Sequence, residues 1–281
     1  MLLLTLFSIF LYLKSLVERF LFPSKMRNPF VRDLPTDVLS YNLCKREKPS
    51  RRFFPNFKKP KTTFFALNVF PGLFSPSTET LSQAQKSMMR KIGRNLSLTP
   101  GTRILDIGCS SPALISYLSQ TYDVYIDGLT SSPSRYEMCC SLDLKGCNFY
   151  LSDFGEFTSP LPYHRIYSST PFIYQDDTFL QKIRSHLLDD GYFLCFLLQG
   201  ESLHSWLNME LGLMDKELVL DRQDLLLSRL DDLTLHYDKT LLLKSFLCEN
   251  KLGNYTLGVL SGCLRARRMR LYQCLFKREQ V

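Results

Sequence analysis

The 281-residue sequence predicts an α/β fold with a doubly wound, mainly parallel sheet. Three observations carry that expectation. The stretch Ile104-Leu105-Asp106-Ile107-Gly108-Cys109-Ser110-Ser111-Pro112 reads as a buried strand that exits into a glycine turn and opens a helix. Short apolar segments then alternate with helical patterns as far as Leu198, which is the pattern of βαβ units. Three successive strand segments end in small or polar residues, where open parallel sheets take up ligands.

Leu2 to Phe22 is strongly apolar but carries Lys14, Glu18 and Arg19. Within this segment only 12 uncharged residues, Leu2 to Leu13, precede Lys14, short of the roughly 20 that cross a bilayer as a helix. No Lys or Arg precedes the apolar run and no small-residue cleavage site follows it, so a cleaved signal peptide is a poor fit. An interfacial anchor, a true transmembrane helix and a helix packed on the body all remain open. Residues 23–63 form a basic, aromatic arm that includes Lys45, Arg46, Lys48, Arg51, Arg52, Phe53, Phe54, Phe57, Lys58, Lys59 and Lys61. An apolar helix followed by a polybasic segment is suited to an anionic membrane surface, through residues 1–61. A solvated linker is the plainer reading of the basic run alone.

Residues 1–70 hold 13 Lys/Arg against 4 Asp/Glu, and the rest of the chain holds 22 against 23. The basic excess therefore belongs to the N-terminal quarter. A neutral body lacks the basic face of a nucleic-acid-binding domain, so no nucleic-acid partner is expected. Nine cysteines form no C-x-x-C pair and have no histidine at metal-ligand spacing. They predict reduced, mostly buried thiols in a cytosolic-type compartment and no metal site. The expected location is cytoplasmic, with peripheral attachment to a membrane.

The body, residues 64–281, reads as one domain. Thr80 to Asn95 is predicted helical because Leu81, Ala84, Met88 and Ile92 recur on one face. Thr99-Pro100-Gly101 turns into strand Arg103–Ile107, and Ala113 to Gln120 follows as a helix with Leu114, Ile115 and Leu118 aligned. Val124–Ile126 is the second strand and ends at Gly128-Leu129-Thr130-Ser131. A short helix around Ser134–Cys140 leads to the third strand, Cys147–Leu151, which ends at Asp153. Arg165–Tyr167 reads as strand four and Asp176–Leu188 as a helix. Asp189-Asp190-Gly191 turns into strand five, Tyr192–Leu198. Leucine stripes from Leu225 to Leu243 suit a core or a lid, and Arg270–Phe276 is a final strand.

The strand ends supply the candidate site. Gly108 permits close backbone approach to a ligand. Thr130 and Ser131 offer hydroxyls to a ribose or carboxylate. Asp153 can accept from an exocyclic amine, with Phe154 beside it to stack on a ring. Asp106 is either part of this site or a cap for the turn.

The order of these motifs resembles the cyclopropane-fatty-acid synthase family, which includes the mycolic acid cyclopropane and methyl transferases. The resemblance runs through Thr80-Leu81-Ser82-Gln83-Ala84-Gln85, Leu98 to Cys109, Gly128-Leu129-Thr130-Ser131-Ser132 and Ser152-Asp153-Phe154. It continues with Leu235-His236-Tyr237, Thr240-Leu241 and Leu264-Arg265-Ala266-Arg267-Arg268. It implies a Rossmann-like class I methyltransferase fold with a helical lid and an N-terminal apolar helix. It also implies S-adenosylmethionine as cofactor, with Asp106, Gly108 and Cys109 at the methionine part, Thr130 and Ser131 at the ribose, and Asp153 and Phe154 at the adenine. The implied substrate is a lipid acyl chain or another hydrophobic small molecule. The implied reaction carries a methylene to a lipid double bond through a carbocation, whose proton leaves to bound bicarbonate.

The departures are specific. Ser110 and Pro112 stand in the family's glycine-rich turn, Phe172-Ile173-Tyr174 stands where it has Phe-Glu-His, and Phe196 replaces a polar residue of the fifth strand. Leu67-Asn68-Val69-Phe70 takes the place of Cys-Ala-Tyr-Phe. Tyr174, Tyr237 and His236 are the remaining candidates for catalytic groups. The alternatives are a catalytically degenerate relative acting as a membrane-associated binding module, and a methyltransferase acting on a non-alkene small molecule.

Overall fold

The computed structural model describes residues 69–77, 80–109, 112–172, 177–200, 225–247 and 251–279. The apolar segment Leu2–Phe22, the arm 23–63, and the positions Ser110, Ile173 and Tyr174 lie outside them. In chain order the elements are α1 (Leu81–Asn95), β1 (Arg103–Ile107), α2 (Pro112–Tyr122), β2 (Tyr125–Thr130), α3 (Pro133–Cys140), β3 (Cys147–Leu151), β4 (Tyr163–Phe172), α4 (Asp177–His186), β5 (Leu187–Gly200), β6 (Leu225–Asp232), α5 (Thr234–Phe246), α6 (Lys251–Arg265) and β7 (Met269–Arg278). They divide between two compact units. One comprises Met1–Gln85, Gln199–Asp215 and Leu233–Leu271; the other comprises Lys86–Leu198, Lys216–Asp232 and Tyr272–Val281.

The second unit is built on a seven-stranded sheet in the order β3-β2-β1-β4-β5-β7-β6. β1 pairs in parallel with β2 and β4, β2 with β3, and β4 with β5. The chain thus winds outward from β1 in one direction and then from β4 in the other, leaving a switch point between these two strands. The central strands are apolar on both faces, as parallel strands covered on both sides must be. Ile104, Leu105, Ile126, Leu129, Ile166, Phe193 and Leu194 are all buried.

β6 departs from the expected helical lid. The leucine stripe beginning at Leu225 splits into a strand antiparallel to β7 and then helix α5. Leu226 and Leu230 are exposed on this edge strand while Leu225 is buried, a period of two that a leucine count does not reveal. The turn expected at Asp189-Asp190-Gly191 exists, but as an irregularity inside β5. Tyr163 pairs with Leu187 and Arg165 already with Tyr192, so the intervening residues bulge, with Asp190 at φ +60°.

In the first unit α1 begins with a reciprocal cap. The Thr80 N–H donates to Gln83 Oε1 at 3.0 Å, and the Gln83 N–H donates to Thr80 Oγ1 at 3.2 Å. Helix α5 holds the segment Val69–Phe74: the Gly72 N–H donates to Thr240 Oγ1 at 2.9 Å and the Phe74 N–H to His236 Nδ1 at 3.1 Å. Asp238 ties α5 to α6. Its carboxylate is 1% exposed and accepts from Ser261 Oγ at 2.5 Å and from Arg265 Nε and Nη2 at 3.0 and 3.1 Å. No helix among the described residues is long and apolar enough to cross a membrane.

Removing the Asp238 carboxylate leaves Arg265 and Ser261 facing each other without their acceptor. Breaking a buried pair in this way costs about 3 kcal/mol. Asp238→Ala is therefore expected to lower the unfolding free energy from denaturant titration by that amount, with a matching fall in the midpoint, and an unchanged midpoint contradicts this role for the pair.

Candidate functional site

β1 delivers the first part of the site. Asp106 is the buried acid of β1, whose other charged residue, Arg103, stands at the partly buried start of the strand, and it is flanked in register by Gly128 of β2 and Tyr167 of β4. It is 3% exposed, and its Oδ1 has no hydrogen-bond partner. Burial, and then the charge of Cys139, push its pKa up to about 8, against a bond from the Cys109 backbone N–H that favours the carboxylate. The carboxyl therefore carries its proton at neutral pH.

The turn follows at once. Gly108 has φ +98° and Cys109 φ +41°, two successive left-handed residues. Such a conformation is open to glycine and strained by roughly 1–3 kcal/mol for a residue with a Cβ. The Gly108 N–H donates to the Leu129 carbonyl at 2.7 Å, continuing the β1–β2 ladder into the turn. The Cys109 side chain is fully buried and lies over Gly128, where an added Cβ would stand 2.4 Å from its Sγ. Gly128 is thus needed for the thiol above it. Pro112 is the first residue of α2, a position whose N–H has no partner within the helix. It removes one donor from the helix start without distorting the helix, a milder change than the sequence suggests.

The ends of β2 and β3 lie next in order. Thr130 is buried, and its Oγ1 accepts from the Ser132 N–H at 3.2 Å. Ser131 is exposed. The Ser152 N–H donates to the Thr130 carbonyl at 3.0 Å, which brings the two strand ends side by side. Asp153 is exposed, and its Oδ1 accepts from the Gly155 N–H at 2.7 Å, an Asx turn that fixes the carboxylate. Gly108, Thr130, Ser131 and Asp153 therefore line the C-terminal ends of three adjacent strands. Phe154 differs from the expectation of a ring open to a ligand. It is 6% exposed and packs against Phe179 at 5.0 Å and His186 at 5.8 Å. Its ring belongs to the core because β3 is an edge strand, and the loop after it must cover α4.

The catalytic expectations fare differently. Tyr174 is outside the described residues. Tyr237 is 2% exposed, and burial pushes its hydroxyl far above the ordinary tyrosine value, so it is no base near neutral pH. His236 accepts the Phe74 N–H at Nδ1 and stacks on the Phe74 ring, with centroids 6.4 Å apart and planes at 8°. A neutral imidazole accepting at Nδ1 carries its proton on Nε2. His236 thus holds the 69–74 segment instead of standing ready to take a proton. Phe196 is buried and meets Tyr167 edge-on at 6.3 Å, an apolar contact where the resemblance implies a polar group.

The sequence reading missed one cluster beside the turn. Cys139 of α3 is fully buried, as Cys109 is, and the charge of Arg135 acts on both. Arg135 and Cys139 are four apart on a helix and so share a face. That spacing was the available signal, but three neighbouring cysteines gave no means of choosing which one points inward.

Residues 49–210 match the family model described as mycolic acid cyclopropane synthetase. The chain belongs to that family. It is 28% identical over 142 residues to the cyclopropane-fatty-acyl-phospholipid synthase of Escherichia coli (strain K12), covering 46% of this chain and 36% of that protein. It is 30% identical over 117 residues to the methoxy mycolic acid synthase MmaA3 of Mycobacterium tuberculosis (strain H37Rv), covering 40% and 38%. The match thus spans little more than a third of these relatives. Among solved structures, apo mycolic acid cyclopropane synthase CmaA1 is similar with a TM-score of 0.63 at 20% identity, over 78% of this chain and 100% of that one. Coclaurine N-methyltransferase gives 0.61 at 16% identity, over 96% and 93%. The fold of this cyclopropane synthetase family member is that of the class I methyltransferases.

Asp106 supplies a pH test. A carboxyl whose pKa is raised from 3.8 to about 8 stabilises the fold fully below 3.8, and that contribution is lost as pH rises through about 8. The limiting slope is about 1.4 kcal/mol per pH unit. The stability of the natural protein relative to Asp106→Asn should therefore fall as pH is raised across this window. Parallel stability curves from denaturation at several pH values would rule the assignment out.

Proposed function

We propose that the protein binds S-adenosylmethionine at the ends of β1, β2 and β3 and transfers a one-carbon group from it to a hydrophobic acceptor, an unsaturated lipid acyl chain. The observation that carries this reading is the left-handed Gly108–Cys109 turn beside the buried Asp106 carboxyl, one oxygen of which has no partner, in a chain of the cyclopropane synthetase family. The residues suit the cofactor. Gly108 leaves room for close backbone approach to its methionine part, Thr130 and Ser131 offer hydroxyls to its ribose, and the fixed Asp153 carboxylate accepts from its adenine amine. When bound, the sulfonium supplies the carbon that is transferred.

Asp106 contributes a neutral, buried carboxyl that keeps the turn in shape. Arg135 and the helix start at Pro133 put positive charge beside the pair of thiols. The apolar Phe196 and the buried Tyr167 exclude water from the sheet next to Asp106.

A second reading follows from the basic groups. His236 is bonded at Nδ1, Tyr237 is held protonated, and Phe196 is apolar, so none of these takes a proton from a carbocation. Methyl transfer to a nitrogen or oxygen nucleophile needs less help of that kind, because the acceptor's own lone pair attacks. An Aspergillus sclerotiorum relative 38% identical over 61 residues, 22% of this chain and 23% of that protein, is described as the O-methyltransferase resE. The binding-module alternative keeps the fold and loses the cofactor.

Calorimetry of the full chain with S-adenosylmethionine is expected to detect binding, and Asp153→Ala to weaken it about tenfold, the loss of about 1.4 kcal/mol. No heat at millimolar cofactor sinks both transferase readings. With binding established, a mass gain of one methylene on unsaturated chains in expressing cells supports lipid transfer, and a methylated amine or hydroxyl supports the second reading.

Attachment through residues 1–61 is also proposed, on their apolar and polybasic composition. Deletion of 1–61 is expected to abolish sedimentation with vesicles containing phosphatidylserine; unchanged sedimentation refutes it.

A further inference from the structure

The loop that follows β3 has no regular secondary structure, yet its first turn is held from two sides. From within, the Glu156 and Phe157 N–H groups donate to the Asp153 carbonyl at 3.1 and 3.0 Å. The Gly155 N–H donates to Asp153 Oδ1 at 2.7 Å, and among the described residues Oδ2 accepts no bond. From outside, α4 presents Phe179, Lys182 and His186, spaced by three and four and so on one face. Lys182 Nζ donates to the Gly155 carbonyl at 2.5 Å and lies 5.4 Å from the Phe154 ring centroid. The Phe179 and His186 rings stand 5.0 and 5.8 Å from that same ring, and His186 also stacks on Phe157 at 6.2 Å. Gly155 is therefore bonded at both ends, its N–H to Asp153 and its carbonyl to Lys182.

We propose that Lys182 is a positioning residue: through Gly155 it sets the Asp153 carboxylate for the exocyclic amine of the cofactor's base, and so gives α4 a part in selecting adenine. The inference rests on the cofactor reading above. A residue has only two soft backbone dihedrals, so fixing the directions of its N–H and its carbonyl fixes both. The Gly155 N–H is then aimed at Oδ1, and Oδ2 is turned toward a donor from outside the chain. An ammonium suits this place, because it serves a carbonyl oxygen and the negative face of the Phe154 ring together. Ordering a long lysine side chain offsets much of what one exposed bond returns, so the contact adds little to global stability and its effect is local. Gly155 serves the same geometry. An added Cβ there would stand 3.1 Å from Asp153 Oδ1, tight enough to push on the carboxylate.

The consequence is a preference between bases. Adenine offers an amine to the carboxylate, whereas hypoxanthine has a carbonyl oxygen in that place and sets an acceptor against an acceptor. A fixed carboxylate enforces the difference. A mobile one turns away from the carbonyl and also loses the amine. Lys182 acts on this bond only through Gly155, so its loss changes the preference and leaves the contacts to the rest of the cofactor as they were.

The test uses the full-length protein and calorimetry with S-adenosylhomocysteine and S-inosylhomocysteine, which differ in the group that replaces or keeps the amine. The natural protein is expected to prefer the first by about tenfold, and Lys182→Met to cut that preference to about twofold by weakening the first alone. Lys182→Arg keeps the charge and a donor and is expected to retain most of the preference. Equal weakening of both ligands by Lys182→Met marks a merely structural role and overturns the proposal, as does an unchanged preference. Equal binding of the two ligands by the natural protein leaves the cofactor reading standing and overturns the selection of adenine. If neither ligand binds, the cofactor reading fails. Hydrogen exchange at the Gly155, Glu156 and Phe157 amides, expected to quicken in Lys182→Met, then supports the ordering of the loop by Lys182, and unchanged exchange overturns it. Should Lys182→Met fail to fold, Gly155→Ala takes its place: crowding of Oδ1 is expected to lower the preference, and an unaltered preference overturns the proposal.

Discussion

A carboxyl in the middle of a parallel sheet is the constraint around which this molecule is arranged. Asp106 sits between Gly128 and Tyr167 with one oxygen unpartnered, in surroundings that favour its neutral form. An ionised carboxylate there would be costly. The Cys109 N–H is the donor that answers it, and reaching Asp106 fits the reversal of the chain at Gly108 and Cys109. That reversal puts a thiol over β2, which excludes a side chain at Gly128. One buried acid thus accounts for the turn, for the glycine on the next strand and for the start of α2.

The first unit solves a different problem with the same economy of groups. Residues that the family resemblance marks for chemistry hold the chain together here. His236 and Thr240 accept backbone N–H groups of the segment Val69–Phe74, and Lys239 Nζ lies 4.7 Å from the Phe74 ring centroid. Asp238 joins α5 to α6 through Ser261 and Arg265. Together with the apolar Phe196, these assignments leave a cofactor-type turn without a base among those candidate groups that fall within the described residues. The acceptor's chemistry therefore matters more than the protein's, which is why a nucleophilic acceptor stands beside the alkene as a reading.

The sequence alone determined the parallel half of the sheet and the strand ends that carry the candidate site. β1 and β3 begin and end where the sequence reading put them, β1 because Ile104, Leu105 and Ile107 form a short buried run between a turn and a glycine. Gly108, Thr130 and Asp153 were legible at their ends because turns need residues of those kinds. The bulge inside β5, the antiparallel β6 and the inward turn of Phe154 were not legible. Each depends on a partner distant in sequence, as Leu225 does on Arg278 and Phe154 on Phe179 and His186. The same holds for the chemistry. Periodicity shows that Asp106 lies in a strand and Cys139 on a helix, but only the packed structure brings Asp106, Cys109, Cys139 and Arg135 together, since protonation depends on which charges and how much water surround a group.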